Sequence, residues 1–266
     1  MAATIAILSQ KGGTGKTTSV RTLTDVLRRL DLRVLAIDLD PQGNLSDYFD
    51  VDPEAQPTLG EVLAGQAKAV DAIHGGVIPA NLGLAEAELI LSGKMGRELT
   101  LRNALREPKR RYDFILIDCP PTLGLLTVNA LCAADQALLS TEAEYFSLQG
   151  VEQALEVIGL AKQNLNPELE VLGITLNIAN MRTRHARETH ESLKEHFGQM
   201  VFDTVIRRSI AYAESAERAI PILTYRPDRA VDYLRLTMEV LDRLGQPERR
   251  EIVEQMLEDR VPERAR

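Results

Sequence analysis

Cysteine is scarce in this chain: only Cys119 and Cys132 are present, and their separation matches neither a metal-ligand pair nor a disulfide framework. Two thiols without such spacing suit a reducing cytosol. Cys119 reads as a core or near-core thiol, because no base stands beside it in sequence. No apolar stretch approaches the roughly 20 residues that span a bilayer. No basic leader precedes the first apolar run, Ile5-Ala-Ile-Leu8, so a signal peptide is not expected and a cytoplasmic protein is. Positive charge is also in deficit. Lys and Arg number 31 against 39 Asp and Glu, a net charge of −8, which excludes a uniformly basic nucleic-acid coat but leaves room for a local patch. Tryptophan is absent, and no internal repeat or low-complexity tract is visible.

What remains is an ordinary globular composition, 44% hydrophobic and 26% charged over 266 residues. Short β-branched and Leu-rich runs alternate with helical patterns, the signature of an α/β fold: a doubly wound, mainly parallel twisted sheet with helices on both faces, in a single domain. Strands are expected at Thr4–Leu8, Arg33–Asp38, Asp113–Asp118, Ala137–Thr141, Glu170–Asn177 and Val201–Ile206. Val20, Leu23, Leu27 and Leu30 recur at helical spacing, and further helices are expected at 148–164, 184–197 and 228–244. Residues 41–108 read as an insertion of small helices within a domain spanning 1–245. The tail, 246–266, carries a short surface or dimer-packing helix from Pro247.

The first twenty residues carry the chemistry. A buried strand ending near Leu8, a glycine-rich turn and a helix beginning near Lys16 aim backbone amides and a helix N-terminus at one spot, which is an anion site. Gly12, Gly13 and Gly15 let the backbone approach phosphates with no Cβ in the way. Lys16 is expected to reach the β/γ-phosphates of a nucleotide, and the Thr17 hydroxyl to ligate Mg²⁺. The strict pattern G-x-x-x-x-G-K-[ST] requires Gly at position 10, where this chain has Gln10. Lys11, a second lysine inside the loop, reads as a cation near the β/γ bridge that neutralises charge on the leaving group, as an arginine finger does, a solvated loop lysine being its alternative. In a doubly wound sheet neighbouring strand ends share one ligand-binding edge. Asp118, closing the run Phe114-Ile-Leu-Ile117, there takes the metal-orienting role, with Asp38 as an outer magnesium group.

Lys11-Gly-Gly-Thr-Gly-Lys-Thr-Thr18 resembles the deviant Walker A motif of the ParA/MinD group of ATPases. Asp38-Leu-Asp-Pro-Gln-Gly-Asn44, Asp118-Cys-Pro-Pro-Thr-Leu-Gly124 and Glu144-Tyr-Phe-Ser-Leu-Gln-Gly150 resemble the ParA/Soj branch, whose partition ATPases often carry Gln at the position of Gln10. The likeness runs from about residue 3 to 245. It implies ATP and Mg²⁺ as cofactors, with nucleotide contacts from Lys11, Gly12, Gly13, Thr14, Gly15, Lys16, Thr17 and Thr18. It also implies that Asp40 orients the attacking water, although a turn cap ahead of Pro41 accounts for the same residue. Glu144 is implied to reach across a dimer, and Pro120 and Pro121 to form a switch loop reading the γ-phosphate. Asn177 is the candidate adenine contact, strand capping being its alternative, and Arg208 is placed at the nucleotide as well.

The resemblance further implies an ATP-bound homodimer that binds nonspecific DNA, associates with the nucleoid and is stimulated by a ParB-like centromere-binding partner. Between 179 and 208 the chain holds six bases, Arg182, Arg184, Arg187, Lys194, Arg207 and Arg208, against four acids. Such a local patch suits phosphate contacts, and a solvated helix face explains it equally without the family. Val205–Glu214 is similar to the family segment V-I-P-R-N-V-R-L-S-E, with Arg207 in place of its proline and Ala211 in place of its second arginine. His185, His190 and His196 do not share one helical face, so no metal site is read there. The alternatives are a ParA-like ATPase that positions a protein cargo, and a MinD-like membrane-associated ATPase. The near-neutral tail lacks the basic amphipathic helix of the latter, and no membrane partner is expected. A metabolic enzyme of the same fold is the remaining competitor: an iron protein lacks its cysteines here, and an amide ligase needs an acid-binding site that the sequence does not show.

Overall fold

The computed structural model describes residues 2–144 and 147–259; Tyr145 and Phe146 of the Glu144–Gly150 stretch and Arg260–Arg266 of the tail lie outside them. In chain order the elements are β1 (Ala3–Leu8), α1 (Lys16–Arg28), β2 (Val34–Asp38), α2 (Asn44–Tyr48), α3 (Leu59–Ala64), β3 (Val77–Ile78), α4 (Gly83–Ser92), α5 (Thr100–Ala104) and α6 (Pro108–Arg111). They continue with β4 (Phe114–Asp118), α7 (Leu125–Ala133), β5 (Gln136–Glu142), α8 (Ser147–Asn164), β6 (Glu170–Asn177), α9 (Arg184–Phe197), α10 (Ala211–Glu217), α11 (Ile222–Tyr225), α12 (Val231–Arg243) and α13 (Pro247–Glu258).

The six strands form one sheet in the order β3-β2-β4-β1-β5-β6, every pair parallel. Parallel strands buried on both faces need apolar residues at odd and even positions alike. On β1, Ile5 and Ile7 face a cluster built on α1 and α12, while Ala6 and Leu8 face one built on α3, α7 and α8. The chain leaves β1 towards β2 on one side and later passes from β4 to β5 on the other. The loop after β1 therefore sits at the topological switch point, where such sheets open a crevice for ligands. The ladder register pairs Ile7 with Asp118 and Asp38 with Asp118, so both carboxylates end their strands level with that loop.

Two expectations about strands change. Residues 201–206 are not a strand but run beside β6 through isolated bridges, Ile174 to Val201 and Ala179 to Arg207. The ladder fails between them because the amides of Asp203 and Thr204 donate instead to the Glu239 carboxylate, at 2.8 Å each. The 41–108 segment holds not only small helices but also β3, a two-residue edge strand too short to show a period. The last described helix, α13, lays Val253 into the core beside α12. No helix among the described residues is long and apolar enough to cross a membrane.

One buried cation couples the loop helix to the segment after β2. Arg21 of α1 lies under the ring of Phe49 at 4.0 Å, pairs with Asp25 at 2.7 Å and donates to the Tyr48 carbonyl. The two side chains of the pair are only 7% and 11% exposed. Removing one partner of a buried pair leaves an uncompensated charge, so Arg21→Ala should lose about 3 kcal/mol in urea unfolding. A loss well under 1 kcal/mol would show that this cation does not hold α2 against α1.

Candidate nucleotide-binding site

The turn after β1 achieves its shape through two left-handed glycines, Gly13 at φ 80° and Gly15 at φ 77°. Gly15 is also a packing requirement, since a Cβ there would stand 2.7 Å from Asn177 Nδ2. Hydroxyls and one amide secure the loop's carbonyls from behind. Ser140 Oγ donates to Thr14 O at 2.6 Å, and Ser19 Oγ donates to Gly15 O at 2.8 Å. Asn177 Nδ2 adds bonds to Ser19 Oγ and Ser140 Oγ at 3.2 and 3.3 Å. Meanwhile the amides of Gly12, Gly13, Thr14 and Gly15 have no hydrogen-bond acceptor among the described residues. Free consecutive amides at a helix N-terminus make an anion cradle.

Lys16 is only 6% exposed. Its ammonium donates to Ser9 Oγ at 3.0 Å and to Lys11 O at 3.2 Å. Ser9 is the hub of the turn, for it also donates to Lys11 O at 2.7 Å and accepts from Thr14 Oγ1 at 2.9 Å. Burial pulls the Lys16 pKa below its ordinary value, and nearby Asp118 pushes it back up. Lys11 behaves differently. Its side chain is 50% exposed and its ammonium meets Glu144 Oε2 of the same chain at 2.9 Å. The loop thus presents one lysine inwards and one at the rim, with Glu144 beside the rim lysine. Gln10, also on the rim, donates to the Gln153 side chain of α8.

Thr17 Oγ1 donates to Asp118 Oδ2 at 2.6 Å. Asp118 Oδ1 is buried and has no hydrogen-bond partner among the described residues. A hard oxygen from a hydroxyl beside an unsatisfied buried carboxylate fits a hydrated Mg²⁺, which leaves nothing orphaned. Asp38 is placed alongside, but its oxygens already work within the fold. Oδ2 accepts from Ser46 N at 2.9 Å and Ser46 Oγ at 2.8 Å, and Oδ1 accepts from Asp40 N at 3.1 Å. Asp38 therefore positions α2 and the Asp40 turn. Asp40 is half-buried at the cleft and takes Gln42 N onto Oδ1 at 3.0 Å. The turn cap and the cleft-facing position belong to the same residue.

The cleft around the loop has a volume of about 1200 Å³. Typical ligand pockets run about 300–1,000 Å³, so a nucleotide fits. Thr18, Pro121, Asn177 and Arg208 line it together with Ile210 and Tyr212, two residues that sequence reasoning passed over. Pro120 is buried behind Pro121. Most of the basic patch is not gathered here. Arg184 pairs with Glu188 at 2.6 Å, and Arg187 donates to the Met181 and Arg182 carbonyls at 3.1 Å each. The Arg207 fork closes on buried Asp232 at 2.7–3.1 Å. Arg182 and Arg208 are exposed and make no salt bridge among the described residues.

Burial, and for Asp118 also the Asp38 charge, pushes the Asp118 pKa up to about 8; burial raises Asp38 to about 6. Both values stand above the unfolded value of about 3.9. The metal-free folded chain consequently holds more protons than the unfolded one through that window. Its stability contribution from these groups rises as pH falls from about 8 towards 4. Without Mg²⁺, lowering pH from 8 to 6 should raise Tm in the wild type relative to Asp118→Asn, whose Tm at pH 8 should equal or exceed wild type. Parallel pH profiles for the two proteins would contradict the buried, unneutralised carboxyl.

Residues 2–171 match the family described as AAA domain. Over 245 residues the chain is 38% identical to the sporulation initiation inhibitor protein Soj of Bacillus subtilis, covering 89% of this chain and 97% of Soj. It is 38% identical over 250 residues to the chromosome partitioning protein ParA of Caulobacter vibrioides, covering 90% and 94%. The structure superposes on the septum site-determining protein MinD of Pyrococcus horikoshii, complexed with Mg-ADP, at a TM-score of 0.75 and 30% identity, over 92% of this chain and 98% of that one. It is equally similar to cobyrinic acid a,c-diamide synthase of Mycobacterium smegmatis with bound ADP and magnesium, at TM-score 0.75 and 34% identity over 82% and 93%. A cradle of free amides and left-handed glycines, a lysine on each side of it, and relatives matched along nearly their full length lead to one assignment: the chain belongs to the ParA/Soj branch of the ParA/MinD-type P-loop ATPases.

Proposed function

We propose that this chain is an ATP- and Mg²⁺-dependent partition ATPase whose ATP-bound homodimer binds nonspecific DNA and whose hydrolysis is stimulated by a ParB-like partner. The observation that carries the reading is the division of labour between the lysines. Lys16 is buried within its own loop, while Lys11 stands half exposed at the rim against Glu144. A rim lysine has reach for a second copy of the site that an internal one lacks.

Bound ATP supplies the anhydride to be cleaved, and Mg²⁺ neutralises charge on its phosphates. Gly12–Gly15 offer amides to phosphate oxygens, and Lys16 turns from Ser9 towards the β/γ bridge. Thr17 and Asp118 hold the metal's shell, while Asp38 keeps the Asp40 turn in place so that Asp40 can orient water. Lys11 and Glu144 exchange their mutual contact for the partner protomer, with Pro120 and Pro121 passing nucleotide state to the interface. Arg208, on the cleft wall, is the candidate for the base, with Asn177, which braces the loop from behind, at the same wall. Arg182, Arg184, Arg187, Arg207 and Arg208 form the DNA patch.

A second reading, positioning of a protein cargo by the same switch, is favoured by one observation. Asp232 holds the Arg207 fork and backbone carbonyls hold Arg187, so fewer cations of the patch are free for phosphates. A membrane role has less support, because α13 turns Val253, Met256 and Leu257 towards the chain's own core and leaves Ile252 as its one large exposed apolar side chain among the described residues.

Lys16→Ala should abolish ATP binding in titration calorimetry. Lys11→Ala should bind ATP normally yet stay monomeric in ATP and lose stimulated turnover; a dimer with full turnover would remove the rim lysine from the mechanism. ATP turnover with no added acid substrate separates this reading from amide synthesis. Co-sedimentation with random-sequence DNA should require ATP, weaken steeply with salt, and disappear when Arg182, Arg184 and Arg208 are neutralised. DNA binding that ignored nucleotide and salt would count against partition, and ATP-dependent pelleting with liposomes would favour the membrane alternative.

A further inference from the structure

The densest positive charge in the chain lies away from the phosphate loop. Residues 102–111 hold five bases, Arg102, Arg106, Lys109, Arg110 and Arg111, against one acid, Glu107. Helix α6 carries the last three to the edge of the sheet where β1, β2 and β4 begin. That edge is the far end of β1 from the loop, about 20 Å away for a six-residue strand.

There Lys109 and Arg110 line an open pocket of about 420 Å³ together with Arg33, Arg249, Tyr112 and Gln246. Among the described residues its only acidic lining residue is Asp113, so four cations share one concave surface with one carboxylate. Arg33 takes that carboxylate in a two-bond fork at 3.1 and 2.9 Å, and Lys109 lies 3.3 Å from Asp135. Arg110 and Arg249 make no salt bridge among the described residues. Arg249 is nevertheless held in place, donating to Gln246 Oε1 at 2.6 Å and lying 5.9 Å from the Phe114 ring centre. The local potential registers on Asp113, whose pKa is drawn down to about 2 by the Arg33 bonds first, with Arg249 adding to the pull.

Gathering like charges in a concavity costs free energy that an anion recovers, and guanidinium forks match the oxygens of a phosphate. We propose that this pocket binds phosphate groups, at a site separate from the nucleotide cleft and from the Arg182–Arg208 patch. Two sources share that chemistry, the backbone of a nucleic acid and a free phosphate compound. The proposal does not rest on partition, since an anion site here would serve either.

The test uses the full chain saturated with a non-hydrolysable ATP analogue and Mg²⁺, so that the phosphate loop is filled and the chain is in its DNA-binding state. Inorganic phosphate and a short random-sequence duplex are the probes, followed by amide chemical shifts and by fluorescence anisotropy. The double variant Arg110→Glu, Arg249→Glu should keep basal ATP turnover, as neither residue touches the cleft; the milder Arg110→Gln and Arg249→Gln serve if the double variant does not fold. If the source is nucleic acid, duplex binding should weaken about tenfold and the salt slope fall by about 2. If it is a free phosphate compound, phosphate-induced shifts at Tyr112 and Gln246 should vanish while duplex binding stays. Unchanged responses to both probes would overturn the site. Neutralising Arg182, Arg184 and Arg208 in parallel keeps the cases apart: if only that variant loses duplex binding and the pocket variant also leaves the phosphate-induced shifts unchanged, this inference fails and the partition reading stands.

Discussion

Much of this molecule is arranged around two carboxyl groups that the sheet buries side by side with too little positive charge near them. Parallel register sets Asp38 and Asp118 level at adjacent strand ends. Ser46 and the Asp40 amide satisfy the first, while the second has one oxygen on Thr17 and one with no partner. An orphaned buried carboxylate oxygen is a cost that a fold carries only for a use. The hydroxyl of Thr17 beside that oxygen, at the first helical turn of α1, is the donor set that a hydrated Mg²⁺ would complete.

From that arrangement follows a site built in layers. Ser9, Ser19, Ser140 and Asn177 hold the turn from behind and leave its amides for an anion. Lys16 rests on Ser9, inside. Asp38 reaches through Ser46 to α2, and Arg21 ties α2 back to the helix that starts at the loop. Asp38 and Arg21 thus hold the same short helix from two sides, through buried hydrogen bonds and rings that have few alternative arrangements.

Local pattern carried much of this into view in advance. Five of the six strands expected from apolar runs form, because a strand buried on both faces must be apolar throughout and such runs stand out. The glycine turn was legible for a similar reason, since φ above zero and close backbone approach both demand glycine. Residues 201–206 have the composition of a strand, but Glu239, on a helix over thirty residues further on, captures two of its amides. Strand β3 escaped notice because two residues carry no period.

The side chains around the site divide along the same line. Local spacing was enough to read a phosphate loop, to put Lys16 and Thr17 at the start of its helix, to set Lys11 apart as an extra cation and to put Asp118 at the end of an apolar strand, since each of these depends on neighbours a few residues away. Only the tertiary structure decided that Ser140 and Asn177 support the loop, that Asp38 bonds Ser46, that Asp232 occupies Arg207 and that Arg33, Lys109, Arg110 and Arg249 meet in one pocket. Those pairings join residues far apart in the chain. Strand order and helix packing choose such partners, and no local spacing encodes either.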